Sequence, residues 1–183
     1  MVIEEIRAHQ TVIDGLLNYS ATIEAACRLV VSVIERGNKI LLVGNGGSAA
    51  DAQHIAAEFT GRFVKERQPL PAIALTTDTS ALTAISNDYG YDYVFSRQIE
   101  ALANEGDLLI AISTSGNSRN IVTAILSAKA KGCKVVGLSG ASGGEMAAHC
   151  DIIIQVPSNN TARIQEAHIL IGHILCKSVD DLF

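Results

Sequence analysis

Apolar residues at the start of the chain recur every three to four positions, and beyond residue 38 this rhythm gives way to short, nearly unbroken apolar runs. Ile6, Ile13, Leu16 and Leu17, then Ile23, Cys27, Val30, Val31 and Ile34, keep helical spacing, so residues 1–36 are predicted helical, with Gly37-Asn38 as the stop. The later runs, 39–43, 72–76, 108–113, 134–139 and 152–156, predict five strands. Four of them are almost continuous in Ile, Leu, Val and Ala, as in parallel strands covered on both faces. Helical stretches are predicted between them at 47–61, at 79–104 in two pieces, at 117–131 and at 143–149, with a last helix over 160–181. Strands alternating with helices imply right-handed crossovers. The expected fold is therefore a three-layer α/β/α domain around a five-stranded parallel sheet, wound as in flavodoxin.

No linker, repeat or low-complexity tract divides the chain, so residues 1–183 are expected to form one domain, with 1–36 used in packing and oligomerisation. The segment 65–71, with Pro69 and Pro71, is a loop inside it.

Composition narrows the function. Hydrophobic residues make up 48% and charged residues 18%, with a mean hydropathy of +0.27, which fits a packed domain that hides some surface in an oligomer. A net charge of −5 and the lack of a basic stripe argue against nucleic-acid binding. No unbroken run of about 18 apolar residues exists to span a bilayer, and Met1-Val2-Ile3-Glu4-Glu5 resembles no signal peptide, so a cytoplasmic location is expected. Cys27, Cys133, Cys150 and Cys176 form no C-x-x-C pair and read as small packing thiols.

In an open α/β sheet, ligands bind beyond the carboxyl ends of the strands. Two such ends carry unusual chemistry. Gly44-Asn45-Gly46-Gly47-Ser48 lets backbone amides approach a ligand at a helix start. Ser113-Thr114-Ser115-Gly116-Asn117-Ser118 adds hydroxyl donors to another helix start and suits a phosphate without lysine. The plainer explanation is a turn with an N-cap, but five polar residues in six exceed what a cap requires. Gly44-x-Gly46-x-x-Ala49 also fits a dinucleotide fingerprint, yet the acid that should follow, Asp78, stands some ten residues too late. One phosphorylated sugar suits two loops better.

His54 and Glu58 lie four apart on one helix face, able to bind a metal or move protons, although such a pair is more often a surface contact. On the last helix Gln165, Ile169, Gly172 and Cys176 form a stripe, and His173 stands about 80° from Gln165 and about 12 Å further along. Either long side chains converge, or Gln165 and His173 serve different sites in an oligomer. His9, His149 and His168 have no partner at recognisable spacing and read as ordinary surface or packing residues.

Together the glycine loop, His54-x-x-x-Glu58, Thr60-Gly61-Arg62, Asn87-Asp88-Tyr89-Gly90, the serine loop and Ala162-Arg163-Ile164-Gln165-Glu166-x-His168 resemble the phosphoheptose isomerases of the sugar-isomerase (SIS) class. The resemblance runs from about residue 30 to the C-terminus. It implies conversion of sedoheptulose 7-phosphate to D-glycero-D-manno-heptose 7-phosphate, the first step towards activated heptose for lipopolysaccharide core, capsule or S-layer. It implies a homotetramer with active sites between subunits, and a zinc ion on His54, Glu58, Gln165 and His173. By position, Asn45, Gly46, Gly47, Ser48, Glu58, Asn87, Asp88, Ser113, Thr114, Ser115, Ser118 and Gln165 would contact substrate, with Glu58 as base and His173 as acid. Arg62 would either steady the anionic substrate or be a solvated helix-end charge.

A non-catalytic relative, the tetrameric scaffold that binds the replication initiator DnaA, shares the serine loop and the Ala-Arg-Ile-Gln-Glu stretch. The positions matching Glu58 and His173 are those it does not keep. Both are present here, which favours the enzyme. A SIS-domain regulator would need a DNA-binding module, and the first 36 residues are too few and too acidic for one.

Overall fold

Strands β1 (Ile40–Gly44), β2 (Ala72–Ala74), β3 (Leu108–Ile112), β4 (Lys134–Ser139) and β5 (Ile152–Gln155) form one parallel sheet in the order β2-β1-β3-β4-β5, the expected flavodoxin-like winding. The structure, a computed structural model, describes residues 1–180 and 182. Successive strand residues face opposite sides. Ile40, Leu42, Leu108, Ile110, Val136 and Leu138 pack under helices α1 (Val2–Leu16), α2 (Ser20–Glu35), α3 (Gly47–Thr60) and α7 (Thr161–Asp180). Leu41, Val43, Leu109, Ala111 and Val135 pack under α5 (Ser96–Leu102) and α6 (Arg119–Ala130), and Leu82 of α4 (Thr79–Tyr89) leans on the same layer.

The expected elements recur with small shifts. β2 ends at Ala74 instead of residue 76; it is the edge strand and follows Pro71, so its pairing is short. The expected helix at 143–149 is a 3-10 segment, Glu145–His149, because Gly143 and Gly144 both take positive φ (71° and 56°) and end helical continuity. The last helix is described to Asp180; its expected final residue, 181, lies outside the described residues.

By length and composition Val2–Glu35 is apolar enough to cross a membrane, with a mean hydropathy of 1.2. That qualifies the expectation from apolar runs: the window passes on average hydropathy while still containing polar residues. The fold gives the segment another task. A 3-10 turn at Leu17–Tyr19 divides it, and Val12, Leu16, Ile23, Ala26, Val30, Val33 and Ile34 are buried in the core.

Helices α3 and α7 lie side by side and parallel. A Cβ on Gly47 would meet Gln165 Nε2 at 2.6 Å, and one on Gly172 would meet Ile55 Cδ1 at 2.5 Å. Glycine at both positions is what lets the two helices touch. At their carboxyl ends the seam is closed by a buried ion pair, Arg67 Nε to Asp180 Oδ1 at 2.8 Å, with side chains 1% and 2% exposed. Asp180 Oδ2 also accepts from the backbone N–H of Val64 (2.7 Å) and Lys65 (2.9 Å). Burial pushes this carboxyl up, but the Lys65 and Val64 amides and the Arg67 guanidinium outweigh it and hold the pKa below the ordinary value. Arg67 further donates to the carbonyls of Glu58 (2.8 Å) and Phe59 (3.0 Å), fixing the end of α3.

His168, expected to be ordinary, is fully buried in the α7 face against the sheet. Its Nε2–H donates to the Ser139 carbonyl at 3.2 Å, and Nδ1 has no partner. Burial pushes its pKa down to about 4, against a smaller upward pull from the Ser139 bond. Between about pH 6.5 and 4 the unfolded chain takes up a proton that the folded chain refuses, so stability falls as pH drops through this window. The expected loss is about 3 kcal/mol by pH 4. Thermal melts of wild type and His168→Leu over this range check it: the variant should show the shallower slope, and equal slopes would refute the assignment.

Candidate active site

The glycine loop and the serine loop leave adjacent strands, β1 and β3, at their carboxyl ends, and a small cavity of ≈ 60 Å³ opens between them. Asn45, Ser48, Ile112, Ser113, Thr114, Ser118 and Gln165 line it. Gly46 takes φ +55° and Gly47 opens α3, and the side chain of Gln165 crosses from α7 to lie against Gly47.

The hydroxyls of the serine loop have separate tasks. Helix α6 begins at Arg119, and Ser118 occupies the N-cap position without capping through its side chain. Its Oγ lies instead 3.1 Å from Ser113 Oγ, at the cavity wall. The capping explanation therefore fails for Ser118. It describes Ser115 better, whose Oγ accepts the Asn117 N–H at 3.1 Å and tightens the turn. Thr114 and Ser115 also face a neighbouring polar cavity of ≈ 280 Å³ with Asn117, Gly140, Ser142, Ser158 and Thr161.

About 10 Å along α3, seven residues on from Gly47, stands a second group. His54 Nε2 lies 3.2 Å from Glu58 Oε1, and the His54 and His173 rings meet edge-on with centroids 5.1 Å apart. Phe63 packs on the other side of His173 at 5.6 Å. Asp51, one turn before His54, was missed by sequence reasoning. Its Oδ2 is buried without a partner, and its pKa is raised by burial against the pull of His54 and His173. Its position at i−3 from His54 was the available signal.

The structure thus joins His54, Glu58 and His173, and joins Asn45, Ser48, Ser113, Thr114, Ser118 and Gln165, but as two groups. Gln165 belongs with the cavity between the two loops, level with Gly47, and not with the histidines of the same chain. Asn87 and Asp88 are exposed at the end of α4, where Asn87 Nδ2 donates to Asp88 Oδ1 at 2.8 Å, and they do not line the cavity. Arg62 is exposed, pairing loosely with Glu66 at 3.6 Å, as a solvated charge would. His9 does have a partner: its Nδ1 is 2.8 Å from Glu166 Oε2, across 157 residues.

Imidazole nitrogen and carboxylate oxygen suit a divalent ion such as zinc. His54, Glu58 and His173 fit one in donor type, and Asp51, whose buried oxygen has no partner, stands one turn before His54 on α3. Among the described residues no three His, Cys, Asp or Glu side chains are already drawn into a metal-holding group.

A family model described as SIS domain matches residues 7–140. The phosphoheptose isomerase of Campylobacter concisus is 59% identical over 183 residues, covering 100% of this chain and 97% of that protein. That of Aneurinibacillus thermoaerophilus is 60% identical over 159 residues, 87% of this chain and 80% of that protein. The solved phosphoheptose isomerase structure from Neisseria gonorrhoeae superposes with a TM-score of 0.89 at 48% identity, covering 98% of this chain and 95% of that one. One from Francisella tularensis gives 0.92 at 38% identity, over 98% and 96%. The chain belongs to the SIS-domain family. Within it the chain belongs with the phosphoheptose isomerases, and it is a sugar-phosphate isomerase.

Proposed function

We propose that the protein converts sedoheptulose 7-phosphate to D-glycero-D-manno-heptose 7-phosphate. One observation carries the reading: a hydroxyl-and-amide cavity and a His/Glu/His group lie about 10 Å apart along one helix seam, which suits a sugar with phosphate at one end and a carbonyl at the other. The full-length similarity to phosphoheptose isomerases supports it independently.

In this reading Ser113, Thr114 and Ser118, faced by the glycine-loop amides of residues 46 to 48 across the cavity, hold the phosphate, Ser115 shapes the turn, and the Asn45 and Gln165 side chains orient the adjoining end of the sugar. Glu58 removes a proton from carbon 1 of the ketose as His173 protonates the carbonyl oxygen at carbon 2, giving an enediol. The hydroxyl proton on oxygen 1 then passes to His173, and Glu58, whose captured proton exchanges with solvent while the enediol is held, delivers a proton to carbon 2, giving the aldose. Both transfers need groups within hydrogen-bond reach of the reacting atoms. Zinc held by His54, Glu58 and His173, with Gln165 supplied by a neighbouring subunit, would stabilise the negative charge that develops on the sugar oxygens.

A homotetramer with shared sites belongs to the same proposal. An apolar groove of ≈ 300 Å³ along Ile13, Leu16, Leu17, Ile23, Leu170 and Ile174 supports it, as do Asn87 and Asp88 standing away from the cavity of their own chain.

The direct test is incubation with sedoheptulose 7-phosphate, with and without added zinc, followed for aldose formation. Aldose that increases with zinc supports the assignment; no aldose under either condition overturns it in favour of the DnaA-binding scaffold. Ser118→Ala should raise KM roughly tenfold, the cost of one hydrogen bond to a charged group, with kcat little changed. An unchanged KM would remove Ser118 from the phosphate site.

A further inference from the structure

A small hydrogen-bonded hub beside the cavity ties the glycine loop to the start of α6 and to the segment that follows α4. Asn45 of the glycine loop and Asn120 in the first turn of α6 exchange two bonds: Asn45 Nδ2 to Asn120 Oδ1 at 2.9 Å, and Asn120 Nδ2 to Asn45 Oδ1 at 2.8 Å. Tyr91, three residues beyond Asp88, donates its hydroxyl to the same Asn45 Oδ1 at 3.0 Å.

Burial does not account for this arrangement. Tyr91 is 56% exposed, so water would satisfy its hydroxyl if the ring turned away. Asn120 is 3% exposed beside the apolar Ile121 and Val122, a place where an amide is costly unless fully bonded and where an apolar side chain would pack without that demand. The paired amides instead fix the plane of the Asn45 side chain, which lines the cavity. They also fix the gap between the β1 loop and the start of α6, which sets how closely the two sets of donors close on one anion.

We propose that Asn120 and Tyr91 are positioning residues for the sugar-phosphate site, holding Asn45 and the glycine loop at the spacing that the phosphate end requires. The role assigned to Asn45 rests on the function proposed above; the hub itself does not.

The test uses Tyr91→Phe, Asn120→Ala and Asn45→Ala, and the double variant Asn45→Ala with Tyr91→Phe. Each is measured for kcat and KM with sedoheptulose 7-phosphate and for Kd with inorganic phosphate. Tyr91→Phe removes one exposed oxygen and keeps the ring, so it secures a folded variant. Tyr91→Phe and Asn120→Ala should each weaken KM and phosphate Kd by roughly three- to tenfold, with kcat within about twofold. In the Asn45→Ala background Tyr91→Phe should add nothing, because the group it positions is gone. Folded variants with unchanged KM and Kd, or a Tyr91→Phe effect that persists in full without Asn45, would overturn the proposal. Wild type that binds phosphate but leaves the sugar unconverted would overturn the assigned reaction alone, and the phosphate titrations would still decide the hub. Wild type that binds neither would overturn both.

Discussion

Replacing Glu58 by glutamine is expected to lower kcat by roughly 10²- to 10⁴-fold, the usual worth of a positioned general base, while KM and the fold stay close to wild type. Glutamine keeps the size of the side chain, so Phe59 remains in the core and His54 retains an oxygen to bond at the position of Glu58 Oε1, 3.2 Å away. What is lost is the ability to take a proton from carbon. The loss should fall on kcat because the cavity proposed to hold the phosphate lies elsewhere on the seam and none of its lining residues changes. Near-normal turnover would remove Glu58 from the mechanism. A KM rise with kcat intact would make it a binding residue.

The second large effect concerns stability. Asp180→Ala leaves the Arg67 guanidinium and the Val64 and Lys65 amides facing a buried void, and breaking a buried charge pair from one side costs about 3–5 kcal/mol. For a chain of this length that is a fall in Tm of roughly 10 °C. A scanning melt at neutral pH reads it directly, and a change below about 2 °C would show that the pair is dispensable. Arg67 also holds the carbonyls of Glu58 and Phe59, and His173 lies seven residues before Asp180 on α7. The variant should therefore also lose activity at temperatures where it remains folded, since both arms of the His/Glu/His group end at this clamp.

The sheet was legible because each of its inner strands is a nearly unbroken apolar run, and a parallel strand buried on both faces admits little else. The two loops were legible through composition, and His54 with Glu58 through helical spacing. What sequence spacing hides is anything decided by how α3 lies on α7. The distance between Gln165 and His173 along α7 made a shared site awkward, and the structure places the two residues beside different neighbours, Gly47 and His54. The Asn45–Asn120 pair spans 75 residues and the Arg67–Asp180 pair 113, and no local rule predicts either. For His168 the sequence left surface and packing roles open, since a helix turns far enough in two residues to carry Glu166 towards solvent and His168 into the core. Asp51 was passed over because the aspartate three residues before His54 resembles any helix-surface charge until its oxygen is seen buried without a partner.

The most direct measurement of the central claim is reaction of the zinc-supplemented enzyme with sedoheptulose 7-phosphate in deuterated water, read by the isotope at carbon 2 of the product. Proton transfer through an enediol predicts D-glycero-D-manno-heptose 7-phosphate carrying solvent deuterium at carbon 2, and its loss in Glu58→Gln. No aldose, or aldose whose carbon 2 holds no solvent deuterium, would contradict the account.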